Sequence, residues 1–143
     1  MFQRYRSAGL HVIDKKGALR RARGALAAND AVLFAMDQHA ATHNKQGIAV
    51  EFFGRKAGTY RSLAALAQRT GAPVVPLVCY RLASGQHVIA FYPQVEWTQS
   101  ATKEEAIYHN TRNYNQVLEK LILTHPEQWL WSHRRWKLSE EDC

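Results

Sequence analysis

The 143-residue sequence is long enough for one domain with a hydrophobic core and too short for two. Hydrophobic residues make up 46% and charged residues 22%, which is typical of a globular chain and excludes a disordered one. No apolar run approaches the roughly 20 residues that cross a bilayer, and two cysteines cannot form a disulfide framework. The net charge of +7 favours partners that carry phosphate: nucleic acid, anionic lipid or a phosphorylated substrate.

The first half of the chain alternates between extended and helical patterns. Residues 9–14 predict a short strand, after which Asp14 caps a helix over residues 15–28. The continuous apolar run at residues 31–36 predicts a buried strand, and residues 48–53 predict another extended segment. A strand, a helix and a strand of these lengths indicate a parallel βαβ crossover.

The middle of the chain predicts a second helix and a hairpin. The helix starts at Thr59 or Ser62 and ends at Gly71, because glycine is the usual residue after a helix C-terminus. Residues 73–80 predict a buried strand that pairs with residues 87–92.

The last third of the chain predicts two helices. Thr102 and Glu105 match a capping box that opens a long helix, and Pro126 suits the first turn of a short terminal helix. The predicted fold class is therefore α/β, with a mixed, mainly parallel sheet flanked by helices in a single domain over residues 1–143.

Asp37 and Gln38 follow the predicted strand at residues 31–36. In open α/β sheets ligands bind at this end of the strands, so a carboxylate and an amide there predict a substrate-binding site. The alternative is an aspartate that only caps the loop.

A second candidate site is the aromatic segment that ends in Gly54 and Arg55. Phe52 and Phe53 point to opposite faces of an extended segment, so at least one of them is free to line an apolar groove. Gly54 lets a ligand approach the backbone, and Arg55 is suited to an anion. The alternative is two core phenylalanines beside a turn glycine.

The basic, tryptophan-rich tail is a third candidate. Indole rings favour the zone between lipid headgroups and acyl chains, and arginines bind phosphates. These preferences predict membrane or anion contact by Trp129, Trp131, Arg134, Arg135 and Lys137. The alternative is a clamp that packs its tryptophans on the core, and the two interpretations are compatible. His39 and His43 lack a third metal ligand, so neither a metal site nor a cofactor is predicted.

Four stretches taken together are more specific than any one alone. They read V-L-F-A-M-D-Q at 32–38, V-E-F-F-G-R-K-A at 50–57, L-A-Q-R-T-G-A-P-V-V-P at 66–76 and P-E-Q-W-L-W-S-H-R-R-W-K at 126–137. Their order and spacing resemble the bacterial lipid A biosynthesis (lauroyl/myristoyl) acyltransferases. The last stretch resembles that family's closing signature, P-E-Q-[YW]-x-W-x-H-R-R-[FW]-K. The resemblance covers essentially the whole chain but only the latter part of the family's length, which predicts the C-terminal part of an acyltransferase domain, truncated at the N-terminus.

The resemblance implies membership of the lysophospholipid acyltransferase superfamily. Those enzymes move a fatty acyl group from a thioester donor, acyl carrier protein or acyl-CoA, to a hydroxyl of a lipid acceptor. An H-x-x-x-x-D/E pair supplies their general base. None of the seven histidines here is followed five positions later by Asp or Glu. No catalytic residue is therefore predicted, and the chain alone is predicted to be inactive.

The resemblance also implies which positions face the substrate. Residues 37–38 match the family's D-Q, and residues 52–54 match the F-F-G of its V-P-F-F-G motif, with Glu51 in place of the proline. Arg4 and Arg6 fall where basic residues face the phosphates of the acceptor.

The implied partners are the thioester donor, a glycolipid acceptor and the anionic cytoplasmic face of the bacterial inner membrane. No nucleic acid is expected, because the sequence contains no recognised nucleic-acid module. One alternative is an enzyme that acylates phosphoinositide mannosides, since some such relatives carry an acid near the position of Glu51. Another is a non-catalytic module that binds anionic lipid.

Overall fold

A computed structural model describes residues 2–14, 17–43 and 46–138, which divide into two compact units on either side of the Leu33–Phe34 bond. The first unit contains two helices, α1 (Phe2–Ser7) and α2 (Ala18–Ala27). Helix α2 begins after Gly17, whose φ of 71° places it in the left-handed region, and no side chain caps the helix. The predicted cap is wrong: Asp14 instead uses its backbone carbonyl to accept a 2.7 Å hydrogen bond from Arg21.

The predicted parallel sheet is not found among the described residues. Neither residues 10–14 nor residues 31–36 form a strand there, and Leu33 is 77% exposed. An apolar run becomes a strand only when a neighbour supplies hydrogen-bond partners, and none of the described strands pairs with these segments. All described strand pairs are antiparallel, in two separate two-stranded sheets. Their short connections dictate this, because parallel pairing needs a long crossover.

The first hairpin joins β1 (Gly47–Phe52) to β2 (Arg55–Tyr60). Its two-residue turn has positive φ at both positions, 50° at Phe53 and 71° at Gly54, as a type I′ turn requires. The left-handed region is unfavourable for a phenylalanine. Here the Phe53 N–H donates a 2.8 Å hydrogen bond to the Glu119 carboxylate, and its ring contacts Phe52 with centroids 4.9 Å apart. Tertiary contacts therefore stabilise a turn that the sequence alone does not favour.

The next helix and the second hairpin lie close to where the sequence predicts them. Helix α3 spans Ser62–Thr70 and ends at Gly71, whose φ is 68°. Strand β3 (Leu77–Arg81) pairs with β4 (His87–Phe91). Strand β3 starts later than predicted because prolines at 73 and 76 have no N–H to donate. It is also not fully buried, since its residues alternate between exposed and half-buried positions.

The long helix α4 (Lys103–Ile122) packs on β1 and α3 and has the predicted capping box. Thr102 Oγ1 accepts from the Glu105 N–H at 3.2 Å, and the Thr102 N–H donates to the Glu105 carboxylate at 3.1 Å. A 3₁₀ turn follows at Pro126–Gln128. The part of the core that supports the candidate site consists of Phe52, Ala57 and Ile122 together with Phe53, Leu118, Trp129 and Trp136.

Candidate functional site

The loop that carries Asp37 and Gln38 is fixed to the β1–β2 hairpin at Ala40, which is only 1% exposed. The Ala40 N–H donates a 2.9 Å hydrogen bond to the carbonyl of Gly58 on β2. A Cβ at Gly58 would lie 2.2 Å from the Ala40 carbonyl oxygen, so only glycine allows this approach. The strand therefore holds the loop through backbone contacts, and Asp37 and Gln38 remain exposed beyond them.

The C-terminal segment packs against the same hairpin. The rings of Trp129 and Trp136 lie 6.3 Å and 5.6 Å from the ring of Phe52, centroid to centroid. The Trp136 indole N–H donates to the Phe52 carbonyl at 3.0 Å. Trp131 differs, because it is 48% exposed while its indole N–H donates to the Pro126 carbonyl at 2.7 Å. The tail thus packs on the core through Trp129 and Trp136, while Trp131 is exposed to solvent.

Arg135 lies in the interior and connects the tail to β2. Its side chain is buried, and its terminal nitrogens donate to the Gly58 carbonyl at 2.6 Å and to Thr59 Oγ1 at 2.8 Å. The guanidinium carbon lies 4.9 Å from the ring centroid of Phe52, a cation–π contact. Asn115 of α4 donates to Thr59 Oγ1 at 3.1 Å and to the Glu51 carbonyl at 3.0 Å. The prediction that Arg135 contacts the membrane is wrong, because a buried guanidinium cannot reach a bilayer.

Burial lowers the pKa of Arg135 to about 10, and the nearby Asp37 carboxylate opposes this shift. The guanidinium therefore remains charged at neutral pH. Its hydrogen bonds to described residues go to neutral oxygens of Gly58, Thr59 and Asn115, and the Phe52 ring lies against the charge. Asp37, at the candidate site, supplies the opposing negative field.

His133 joins the tail to the Asp37 loop. The His39 N–H donates to His133 Nε2 at 3.2 Å. A surface pocket of about 70 Å³ lies at this junction, lined by Asp37, Gln38, Trp129, Leu130 and His133. Two stretches of sequence, the D-Q loop and the closing signature, therefore form one site.

The aromatic segment at the hairpin turn divides between core and surface. Phe52 is buried and belongs to the core, while Phe53 is half-buried against Trp131, with centroids 5.8 Å apart. Gly54 and Arg55 are exposed at the turn.

The five remaining predicted positions are an acid near the hairpin turn and four basic residues. The Glu51 carboxylate forms a 3.5 Å ion pair with Arg112, which gives this acid a structural partner. Arg4 and Arg6 are exposed on α1, in the other compact unit. Arg134 and Lys137 are exposed on the tail.

Sequence reasoning missed the residues that hold the site together, namely Gly58, Thr59 and Asn115. The detectable signal was the polar residues on the buried side of α4, where Asn110, Thr111 and Asn115 are fully buried. Buried polar groups require hydrogen-bond partners, so an asparagine there implies a buried network.

The described residues contain no group of three histidines, cysteines or acids placed to hold a metal ion. Within the same ranges, no helix has the length and apolar character that crossing a bilayer demands.

Comparison of the sequence with known proteins places this chain in a family. The family model of the bacterial lipid A biosynthesis acyltransferases matches residues 1–138. The chain is 32% identical over 126 residues to a lipid A biosynthesis palmitoleoyltransferase of Escherichia coli K12. A lipid A biosynthesis acyltransferase of Shigella flexneri shows the same identity over the same length. Each match covers 83% of this chain and 37% of the relative.

The chain belongs to the bacterial lipid A biosynthesis acyltransferase family. It spans little more than a third of the length of the curated relatives it matches.

Proposed function

We propose that this chain forms part of an enzyme that transfers a fatty acyl group from a thioester, acyl carrier protein or acyl-CoA, to a hydroxyl of a lipid A precursor. One observation carries the proposal: the family's D-Q loop and closing signature meet in a single pocket. Such convergence of polar groups from distant stretches is typical of a substrate site.

The chain supplies the acceptor side of this reaction and lacks the general base. Attack of a hydroxyl on a thioester needs a group that removes the hydroxyl proton. His133 is the histidine in the pocket, and its Nε2 already accepts the His39 N–H. No histidine of the sequence has the acid partner of the H-x-x-x-x-D/E pair. The proposal therefore assigns acceptor binding to this chain and no turnover to the chain alone.

The site of action is proposed to be the cytoplasmic face of the inner membrane. Leu130, Trp131, Arg134 and Lys137 are all exposed on the tail, and together they are called the tail surface. An exposed indole and leucine beside two cations suit the boundary between headgroups and acyl chains. The core tryptophans Trp129 and Trp136 hold this surface in place.

Vesicle co-sedimentation of the purified chain tests acceptor and location together. We expect binding to phosphatidylglycerol vesicles that contain a lipid A precursor to exceed binding to phosphatidylglycerol alone. Replacing Arg134 and Lys137 by alanine should weaken both by about tenfold or more, because each surface cation contributes about 1 kcal/mol. Alanine at the exposed Arg69 and Lys103, outside the tail surface, is the matched control.

Each rival predicts a different result in the same experiment. A preference for vesicles that contain phosphoinositide mannoside would transfer the proposal to that acceptor. Equal binding to all anionic vesicles would favour a non-catalytic module for anionic lipid. Binding that is insensitive to the tail-surface variants would contradict the proposed membrane contact.

A further inference from the structure

The pocket beside Asp37 is small and has one polar and one apolar side. Its volume of about 70 Å³ admits a few heavy atoms, so it accommodates the edge of a ring and not a whole headgroup. Asp37, Gln38 and His133 provide the polar groups, and Trp129 and Leu130 provide the apolar wall.

The polar groups of the pocket are available to a ligand. No hydrogen bond connects the Asp37 carboxylate or the Gln38 amide to another described residue. His133 accepts the His39 N–H at Nε2, so its Nδ1 is the ring nitrogen that carries a hydrogen. The pocket therefore offers carboxylate acceptors, an amide that both donates and accepts, and an imidazole N–H.

This set of groups suits hydroxyls and disfavours phosphate. Among the described residues that line the pocket, Asp37 is an acid and none is a lysine or an arginine. The terminal nitrogens of Arg135 donate to Gly58 and Thr59 in the interior. An anion in the pocket would meet the Asp37 carboxylate directly, whereas the Arg135 guanidinium that interacts with Asp37 is buried behind it. A carboxylate and an amide beside an indole instead match the hydroxyls and the C–H face of a sugar.

We infer that this pocket binds the hydroxyl-bearing edge of a pyranose ring in the acceptor and leaves the acceptor's phosphates to other surfaces. This inference rests on the proposed function for the identity of the acceptor as a glycolipid. The substrate group that Asp37 and Gln38 recognise is then the set of ring hydroxyls, and His133 and Trp129 take part in the same recognition.

The experiment is an NMR titration of the full chain with soluble probes. Methyl β-D-glucopyranoside, a neutral pyranose, is expected to shift the Gln38 side-chain amide and the Trp129 indole N–H. Asp37→Asn, which keeps the shape and removes the charge, should weaken this binding about tenfold, the loss expected for a hydrogen bond to a charged group. Asp30→Asn, at an exposed aspartate outside the pocket, should leave it unchanged.

Inorganic phosphate in the same titration is expected to leave both signals in place. The inference is overturned if the sugar shifts neither signal, or if phosphate shifts them as the sugar does. Equal weakening by Asp37→Asn and Asp30→Asn would also overturn it.

The two proposals fail in different ways. If the chain prefers vesicles that contain the lipid A precursor but the sugar shifts neither pocket signal, the proposed function stands and sugar binding by the pocket is refuted. If the sugar shifts the pocket signals but precursor vesicles are not preferred, sugar binding by the pocket stands and the proposed function is refuted.

Discussion

Arg135→Met is expected to lower the free energy of unfolding by about 3 kcal/mol, because two acceptors that now bind a charged donor lose that partner. Thr59 Oγ1 and the Gly58 carbonyl receive the two shortest hydrogen bonds of the guanidinium, and Thr59 is buried. Methionine fills much of the same volume but cannot donate. The cation–π contact with Phe52 is also lost. Urea unfolding, followed by tryptophan fluorescence, measures the change.

Arg134→Met is the matched control, since Arg134 is the exposed neighbour in the same signature. Its effect is expected to stay within about 0.5 kcal/mol, as is usual for surface substitutions. Arg135→Lys should fall between the two, because an ammonium keeps the charge but not the fork of donors. Equal stability of Arg135→Met and Arg134→Met would contradict the structural role assigned to the buried arginine.

Gly58→Ala is expected to cost about 3 kcal/mol and to release the Asp37 loop, since the added methyl group overpacks a backbone contact. The new Cβ would lie 2.2 Å from the Ala40 carbonyl oxygen and 2.9 Å from His39 Cε1. A side chain could change rotamer, but the Ala40 carbonyl belongs to the backbone that fixes the loop. The Ala40 N–H, which donates to Gly58, should therefore exchange faster with solvent.

Gly24→Ala provides the control for this substitution. Gly24 lies in α2 with no heavy atom within 4 Å of an added Cβ, so alanine there should be neutral or stabilising by about 0.5–1 kcal/mol. Unchanged stability and unchanged Ala40 exchange in Gly58→Ala would show that the loop is not held as the structure indicates.

Local signals in the sequence were sufficient for α3, α4 and the β3–β4 hairpin. Gly71 ends α3, and the capping box at Thr102 opens α4, because each depends on residues a few positions apart. The parallel βαβ arrangement was wrong because a strand is defined by its neighbour, and residues 31–36 have none among the described residues. The β1–β2 hairpin was missed because Phe53 is an unusual residue for the left-handed region.

The candidate site was predicted in pieces and assembled only by the structure. Asp37-Gln38 and the tryptophan-rich tail were each identified from chemistry. The core packing proposed for the tail is found at one tryptophan, and its membrane contact stays a prediction. Trp129 lies against the core while Trp131 is exposed. The contact between the pieces depends on Arg135 and Gly58, which lie 77 residues apart in sequence. No local pattern indicates that an arginine in a basic run is the buried one.

The central claim is that this chain carries the acceptor side of a lipid A acyltransferase. The most direct measurement is transfer of a labelled acyl group from acyl carrier protein to a lipid A precursor. It compares the purified chain with the E. coli palmitoleoyltransferase whose matching segment has been replaced by this chain. A folded replacement protein, verified by cooperative unfolding, is expected to transfer the label. The chain alone should be at least about 100-fold slower, because none of its histidines has the acid partner of the H-x-x-x-x-D/E pair. Transfer by the chain alone at a comparable rate, or none by the folded replacement protein, would contradict the account.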